Sequence, residues 1–220
     1  MPDDADYKVR FADLVAHELR TPVQAMQGYL EAARPREPEL VSLLQDQLDR
    51  LSRVIGALAE ADGGPAQLGF APADLAVLAR DAVDELAARR PDRKLVFQSN
   101  GALPVRGNHE RLSQAVHDLL DNALKFSPGR QQVALTAFAD GKRCGVRVVD
   151  QGIGVPAAEI AQLGQRWFRA SNADSRMYPG LGLGLAMASE TARLHGGTLR
   201  FESELKRGTS AVFELPLQGG

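Results

Sequence analysis

The apolar residues at the start of the chain recur every three to four positions, in two segments separated by a short polar break. In residues 7–34 the apolar side chains fall within one arc of about 180° when successive residues turn by about 100°. Residues 39–61 repeat the pattern, and the break carries Pro35 and Pro38, which cannot continue a helix. Two such helices bury both stripes when hairpins from two chains associate, so the pattern predicts a four-helix bundle and a homodimer.

A segment rich in glycine and proline, residues 63–72, has no hydrophobic period and is predicted to be a linker. Beyond it helical and alternating periods follow one another, which predicts an α/β sandwich with the helices on one face of the sheet. We therefore expect a helical hairpin over residues 1–62 and a second domain over residues 73–220. The predicted helices of that domain cover residues 74–89, 108–126, 156–163 and 183–195, and the predicted strands cover residues 94–99, 132–139, 143–150, 198–203 and 210–215.

The composition excludes several classes of protein. A chain with 44% hydrophobic and 25% charged residues is typically folded, and a net charge of -2 gives no reason to expect nucleic acid as a partner. The single cysteine, Cys144, excludes an internal disulfide, and its apolar neighbours predict a buried strand thiol. No long apolar run or secretion signal occurs, so we expect no membrane segment and a cytoplasmic location. Because the first helix starts almost at Met1, we also expect an upstream sensor domain that this chain lacks.

One histidine stands apart from the buried stripe of the first helix. His17 lies about 60° outside the apolar arc, so its imidazole is predicted to face solvent. Glu18 is its neighbour in sequence, and Thr21 lies one turn further along the same face. A single exposed histidine on a helix carries little weight alone. It becomes a candidate nucleophile only if the rest of the chain can hold a group for it to attack.

The predicted helix over residues 108–126 carries a row of polar side chains opposite its apolar face. Such a row is commonly a solvated surface. Oxygen-bearing side chains one turn apart, followed by a cation, are also what a magnesium ion with bound phosphate requires, because that ion prefers hard oxygen ligands. The row consists of Arg111, Gln114, Asp118, Asn122 and Lys125, which fall within about 60° of one another.

Three glycine clusters follow this helix. In the first, Asp150 directly follows a predicted strand and precedes Gly152 and Gly154, so a carboxylate can accept from an exocyclic amine while a flat base approaches the backbone. The second spans residues 180–185 and opens a helix, where free backbone N–H groups favour phosphate. Gly196 and Gly197 are interpreted as the end of a helix. Each cluster alone is weak evidence, but their order and spacing are more specific.

Taken together, these segments resemble the catalytic core of bacterial sensor histidine kinases. Residues 17–22, His-Glu-Leu-Arg-Thr-Pro, are similar to the H box of that family, and residues 118–126 to its N box. Residues 150–154 resemble the G1 box, residues 166–169 the F box, and residues 180–185 the G2 box. The five motifs occur in the family's order and cover nearly the whole chain.

The resemblance implies a dimerisation and phosphotransfer hairpin followed by an ATP-binding domain of the Bergerat type, shared with gyrase, Hsp90 and MutL proteins. It implies that Asn122 binds Mg²⁺, that Asp150 recognises the adenine amino group, and that residues 171–179 form a mobile lid over ATP. The remaining residues that the resemblance places at the nucleotide are Phe126 beside it, Lys125 and Arg169 at the phosphates, Gly152 and Gly154 in the G1 box, and Gly180, Gly182, Leu183 and Gly184 on the phosphate side of the lid.

Two positions depart from the family pattern. The N box usually begins with asparagine, where this chain has Asp118; a carboxylate can still support the metal, so we expect binding to be retained. In the G2 box Leu181 replaces a residue that is commonly small and polar, which removes a possible hydrogen bond in the lid.

These features predict an ATP-dependent protein-histidine kinase. His17 would attack the γ-phosphate with Glu18 accepting the proton, and an aspartate of a response-regulator receiver domain would then receive the phosphoryl group. Thr21 occupies the position at which the family orients water for the reverse, phosphatase activity. Two alternatives stay open: a regulatory dimer with an inactive nucleotide site, which ATP binding would test, and a gyrase-like or chaperone-like ATPase, which would form no phosphoprotein.

Overall fold

The computed structural model describes residues 69–129 and 131–218. The chain divides into two units, residues 1–64 and residues 65–220, and the described residues belong to the second. The predicted hairpin, the predicted dimer and the H-box residues His17, Glu18 and Thr21 lie outside the described residues and stay predictions.

Hydrogen bonding in the second unit produces a main five-stranded sheet, a small two-stranded sheet and helices. The strands are β1 (Ala71–Asp74), β2 (Lys94–Ser99), β3 (Pro104–Gly107), β4 (Gln132–Asp140), β5 (Arg143–Val149), β6 (Thr198–Glu204) and β7 (Gly208–Pro216). The helices are α1 (Leu75–Arg89), α2 (His109–Phe126), a 3₁₀ helix (Ala157–Gln162) and α3 (Gly184–Leu194).

The main sheet has the strand order β2-β4-β5-β7-β6. Strand β2 runs parallel to β4, and the other neighbours are antiparallel, including the predicted hairpin of β4 and β5. Alternate residues of the central strands are buried, as expected of a sheet covered on one face: Val133, Leu135 and Ala137 on β4 lie beside Val146 and Val148 on β5. All three α-helices pack against this sheet, so the predicted α/β sandwich is confirmed.

Side-chain caps fix where the helices begin. The Asp74 carboxylate accepts a hydrogen bond from the Ala76 N–H at 2.8 Å and starts α1. Asn108 caps α2, as predicted, because its side-chain oxygen accepts from the Arg111 N–H at 2.9 Å. The apolar face of α2 is buried in the core, so the last turn of this helix is held at a defined height above the sheet.

The short strands β1 and β3 were not expected from the sequence. They pair antiparallel, with Ala71 opposite Gly107 and Asp74 opposite Pro104. Ala71 and Pro72, which the sequence assigns to the linker, therefore lie in a strand. Four residues are too few for an alternating period to stand out, and the partner strand lies about 30 residues away in the sequence.

Cys144 on β5 is a buried thiol, as predicted from its apolar neighbours. Burial, together with the negative charge of Asp74, raises its pKa to about 11, so the thiol stays protonated and unreactive. Within residues 69–129 and 131–218, no helix is long and apolar enough to cross a membrane.

His195, directly after α3, joins three parts of this unit. Its Nδ1–H donates to the Thr191 carbonyl at 2.7 Å, and its Nε2 accepts from the Asn108 N–H at 3.0 Å, at the start of α2. Its ring stacks on Phe70 with the ring centroids 4.6 Å apart. Because one ring nitrogen donates and the other accepts, these contacts require the neutral imidazole. Burial lowers the pKa of His195, and the nearby positive charge of Arg111 lowers it further.

We therefore expect the free energy of unfolding to fall as the pH drops below about 6.5, the ordinary histidine pKa. Below that pH the His195 side chain binds a proton in the unfolded chain but stays neutral in the folded one. This contribution to stability is therefore present above that pH and is lost as the pH falls through the lowered pKa of the folded state. The slope from one such group is at most about 1.4 kcal/mol per pH unit. Chemical unfolding between pH 5 and pH 8 should show this component in the wild type and in His109→Gln, an exposed histidine, and lack it in His195→Gln. Equal pH slopes in all three proteins would contradict the assignment.

Candidate functional site

The second half of α2 carries the polar side chains of the predicted N box. Asp118 is only 2% exposed although it belongs to the polar row, and its Oδ1 accepts from the Gln114 side chain at 3.0 Å. Asn122 lies one turn later and is partly exposed. Lys125 and Phe126 form the last turn, with the Lys125 Nζ 5.0 Å from the centroid of the Phe126 ring. Side chains with oxygen atoms that could bind a metal are therefore followed by a cation and an aromatic ring along one helix.

Asp150 follows β5 directly and is 8% exposed. Its Oδ1 accepts from two backbone donors, the Gly152 N–H at 2.7 Å and the Thr209 N–H at 3.2 Å. Burial raises the pKa of Asp150, and these two donors partly offset that rise because they stabilise the carboxylate. The carboxyl group is thus held in one orientation by the backbone of the G1 box and of β7.

The G1 box packs directly on the end of α2. The Ile153 N–H donates to the Phe126 carbonyl oxygen at 3.0 Å. A Cβ atom at Gly152 would lie 2.8 Å from the Phe126 carbonyl carbon and closer still to its oxygen, so only glycine allows this approach. Gly154, at φ 63°, is instead packed against the carbonyl of Glu204, the last residue of β6 before the β6–β7 turn. Within the G1 box, therefore, Gly152 faces α2, whereas Gly154 faces the β6–β7 turn.

The G2 box approaches the same helix at Asp118 and Lys125. A Cβ atom at Gly180 would lie 2.7 Å from the Lys125 Nζ, and one at Gly184 would lie 3.5 Å from the Asp118 carboxyl carbon. Gly182, at φ 72°, lies against the Phe168 backbone, and Leu183 is 4% exposed. The first residue of α3 therefore faces Asp118, which explains why that carboxylate is buried.

Several side-chain hydrogen bonds tie residues 171–179, the predicted lid, to the protein. At the start of the lid, the Glu159 carboxylate accepts from the Ser171 N–H at 2.8 Å and from the Ser171 hydroxyl at 2.6 Å. The Arg169 guanidinium donates to three backbone carbonyls, those of Ala173 at 3.1 Å, Tyr178 at 2.8 Å and Gly180 at 2.7 Å. The Asn172 side chain donates to the Gly154 carbonyl at 2.8 Å. Arg169 was predicted to contact phosphate; here its donors organise the lid backbone, and the phosphate contact stays a prediction.

Sequence reasoning missed three residues at this site. Tyr178, in the predicted lid, is 7% exposed, and its ring centroid lies 5.0 Å from that of Phe126. Thr209 contacts Asp150 through its main chain, because its N–H donates to the Asp150 Oδ1 and its carbonyl accepts from the Asp150 N–H at 2.9 Å. Gly208 before it is needed because a Cβ there would overlap the Asp150 carbonyl. The Gly-Thr pair at the start of the last strand is the sequence feature that indicates this contact.

The described site residues thus meet at the second half of α2: the G1 box contacts Phe126, the G2 box approaches Asp118 and Lys125, and the lid contacts both Phe126 and the G1 box. Residues 107–219 match the family described as histidine kinase-, DNA gyrase B-, and HSP90-like ATPase. Residues 7–62, which include His17, match the His Kinase A phospho-acceptor domain.

Individual relatives agree with both matches. The chain is 31% identical to the circadian input-output histidine kinase CikA of Synechococcus elongatus, over 96% of this chain and 30% of CikA. It is 32% identical to the histidine-protein kinase/phosphatase MprB of a Mycobacterium species, over 98% of this chain and 45% of MprB. It therefore spans less than half of either relative.

The fold of this chain is also similar to that of a solved structure. Full-length ShkA, solved in complex with AMPPNP, is 27% identical to this chain, with a TM-score of 0.67, over 96% of this chain and 46% of ShkA. The geometry, the two family matches and these relatives lead to one conclusion. The chain belongs to the sensor histidine kinases, with a phospho-acceptor domain followed by an ATP-binding domain of the histidine kinase, gyrase B and HSP90 type.

Proposed function

We propose that this chain uses ATP to phosphorylate His17 and then passes the phosphoryl group to an aspartate of a response-regulator receiver domain. The observation that carries the proposal is the convergence of Asp150, the end of α2 and the G2 glycines around one site. The phospho-acceptor match over residues 7–62 supports His17 as the target.

Asp150 orients the nucleotide in this proposal. Its Oδ1 is held by two backbone N–H groups, so Oδ2 is the acceptor that we assign to the adenine amino group. Phe126 then lies beside the base, and Lys125, whose Nζ lies close to Gly180, faces the phosphates together with the glycine backbone. The ShkA structure, which contains AMPPNP, supports nucleotide binding by this fold.

The residues of α2 fit a magnesium ion. Mg²⁺ prefers oxygen ligands and is commonly held by one or two protein groups together with substrate phosphates. Asn122 and the buried carboxylate of Asp118 offer such oxygens one turn apart on α2. Among the described residues no group of three His, Cys, Asp or Glu could hold a metal by itself, so we propose an ion shared with the triphosphate. When bound, it offsets negative charge on the phosphates.

The chemical step needs little activation of the nucleophile. An imidazole with the ordinary pKa of about 6.5 is mostly neutral at pH 7. One ring nitrogen of His17 attacks the γ-phosphorus, the bond to the bridging β-γ oxygen breaks, and ADP leaves while Glu18 accepts the proton from the other ring nitrogen. Transfer to the receiver aspartate regenerates His17.

The test is the chemistry of the label. After incubation with ATP labelled at the γ-phosphate, the protein should carry a phosphoryl group that is stable in alkali and lost in acid, as a phosphorus-nitrogen bond is. ATP hydrolysis without any phosphoprotein would instead identify an ATPase of the gyrase or chaperone type. Failure to bind ATP would identify a regulatory dimer with an inactive site.

We also propose a reverse, phosphatase activity in which Thr21 orients water against the phosphorylated regulator. MprB is named a kinase/phosphatase, which supports this proposal. Thr21→Ala should slow the loss of phosphate from a purified phosphorylated regulator while His17 phosphorylation continues. Undiminished phosphatase activity would remove Thr21 from the scheme.

The remaining partners are proposals of the same kind. We propose a homodimer formed through residues 1–62, a response-regulator receiver domain that docks near His17, and an upstream sensor domain in the full-length protein. A cytoplasmic location for this portion likewise stays a prediction. Sedimentation of the purified chain, which should show a dimer, tests the first of these.

A further inference from the structure

An arginine that lies outside the sequence motifs binds the C-terminal end of α2, the helix that carries the N box. Arg93 lies in the loop between α1 and β2, outside every motif that the sequence singles out. Its Nη2 donates to the Leu124 carbonyl at 2.8 Å and also to the Ser127 carbonyl. Both carbonyls lie at the C-terminal end of α2, where the last carbonyls of a helix have no partner within the helix.

The two accepting carbonyls flank the residues proposed to contact the nucleotide. Leu124 immediately precedes Lys125, and Ser127 immediately follows Phe126. The Phe126 carbonyl between them accepts from Ile153 of the G1 box. Three hydrogen bonds from two different loops therefore set the rotation of this last turn, and Arg93 supplies two of them.

The charge of Arg93 also suits its position. A helix C-terminus carries partial negative charge, and a cation there is favourable. The Nη2 of a guanidinium carries two N–H groups in a fixed plane, so this one nitrogen can bond both carbonyls at once. Leu124 and Ser127 are both buried, so these carbonyls lose solvent contacts and need protein donors.

We propose that Arg93 is a positioning residue for ATP: it holds the last turn of α2 so that Lys125 and Phe126 face the nucleotide while Asp150 stays in register. The inference rests on the proposed nucleotide site. It adds a residue from outside the motifs that acts through backbone carbonyls.

The test compares Arg93→Met and Arg93→Lys with Arg80→Met in the full chain. Arg80 is a matched control because it is an arginine of α1 that packs on β2, with its guanidinium carbon 4.2 Å from the centroid of the Phe97 ring. Losing two hydrogen bonds at buried carbonyls should raise the Kd and KM for ATP about tenfold in Arg93→Met. The kcat at saturating ATP should change less than about twofold, because the reacting groups are intact. Arg93→Lys should recover part of the affinity.

A second readout does not depend on ATP. Hydrogen exchange at the Ile153 N–H, which bonds to the Phe126 carbonyl, should become faster in Arg93→Met, while exchange in β5 and β7 stays unchanged. Wild-type ATP affinity in Arg93→Met, or equal losses in Arg93→Met and Arg80→Met, would overturn the proposal. If the wild type itself binds no ATP, the proposed function fails, and the exchange result alone then decides whether Arg93 holds the helix end.

Discussion

Replacing Gly152 by alanine is expected to weaken ATP binding by between about tenfold and a hundredfold, the cost of forcing one extra methyl group into a packed backbone contact. The new Cβ would lie 2.8 Å from the Asp150 Oδ1 and overlap the Phe126 carbonyl. Because a backbone carbonyl cannot turn aside as a flexible side chain does, the G1 loop has to move. That movement stretches the Ile153–Phe126 hydrogen bond and the Gly152–Asp150 hydrogen bond together.

Equilibrium binding of a labelled ATP analogue measures this effect, with Gly69→Ala as the control. A Cβ atom at Gly69 would have no other atom within 4 Å, so the same substitution there adds a methyl group without a clash. Thermal unfolding of both variants separates a local change at the G1 box from general unfolding. Wild-type affinity in a folded Gly152→Ala protein would show that the contact between the G1 box and α2 does not shape the site.

The helices of this domain could be predicted because their burial follows a regular period. The apolar face predicted for the helix over residues 108–126 is fully buried at Leu112, Val116 and Leu120. Asp118 shows where the period fails, since the first turn of α3 covers the polar side of α2 at Gly184. A single helix pattern cannot show which of its polar residues another element will cover.

The pairing of the strands was harder to predict from the sequence than the strands themselves. The alternation in β4 and β5 and their short connection predict a hairpin, which the structure contains. The sequence pattern of β2 and of β4 does not indicate that the two strands pair in parallel, because that pairing depends on how α2 crosses between them. The same limit explains why β1 and β3 were missed.

At the site, motif order identified residues that the structure brings together around the end of α2, such as Asp150 and Lys125. It did not identify contacts made through the backbone. Arg93 and the Thr209 N–H lie outside the motifs and act through main-chain groups, and for Arg169 the motif did not predict the hydrogen bonds to the lid carbonyls. Such contacts depend on chain geometry rather than on the type of the partner residue, so a sequence pattern does not encode them.

His17→Gln is expected to abolish phosphorylation of the chain by ATP, because a glutamine amide lacks the ring nitrogen that forms the bond to phosphorus. ATP affinity should stay within about twofold of the wild type, since the residues assigned to the nucleotide lie in the other unit. Asp150→Asn should show the reverse, a loss of ATP affinity with the acceptor histidine still present.

Incorporation of γ-phosphate and equilibrium binding of ATP, measured on the same preparations, separate these two defects. His109→Gln serves as the control because it removes an exposed imidazole from the start of α2. If the two sites are independent units of one enzyme, mixing the His17→Gln and Asp150→Asn proteins restores labelling whenever a dimer can pair the intact ATP site of one subunit with His17 of its partner. Label that persists in His17→Gln at the wild-type level would place the acceptor elsewhere and overturn the proposed mechanism.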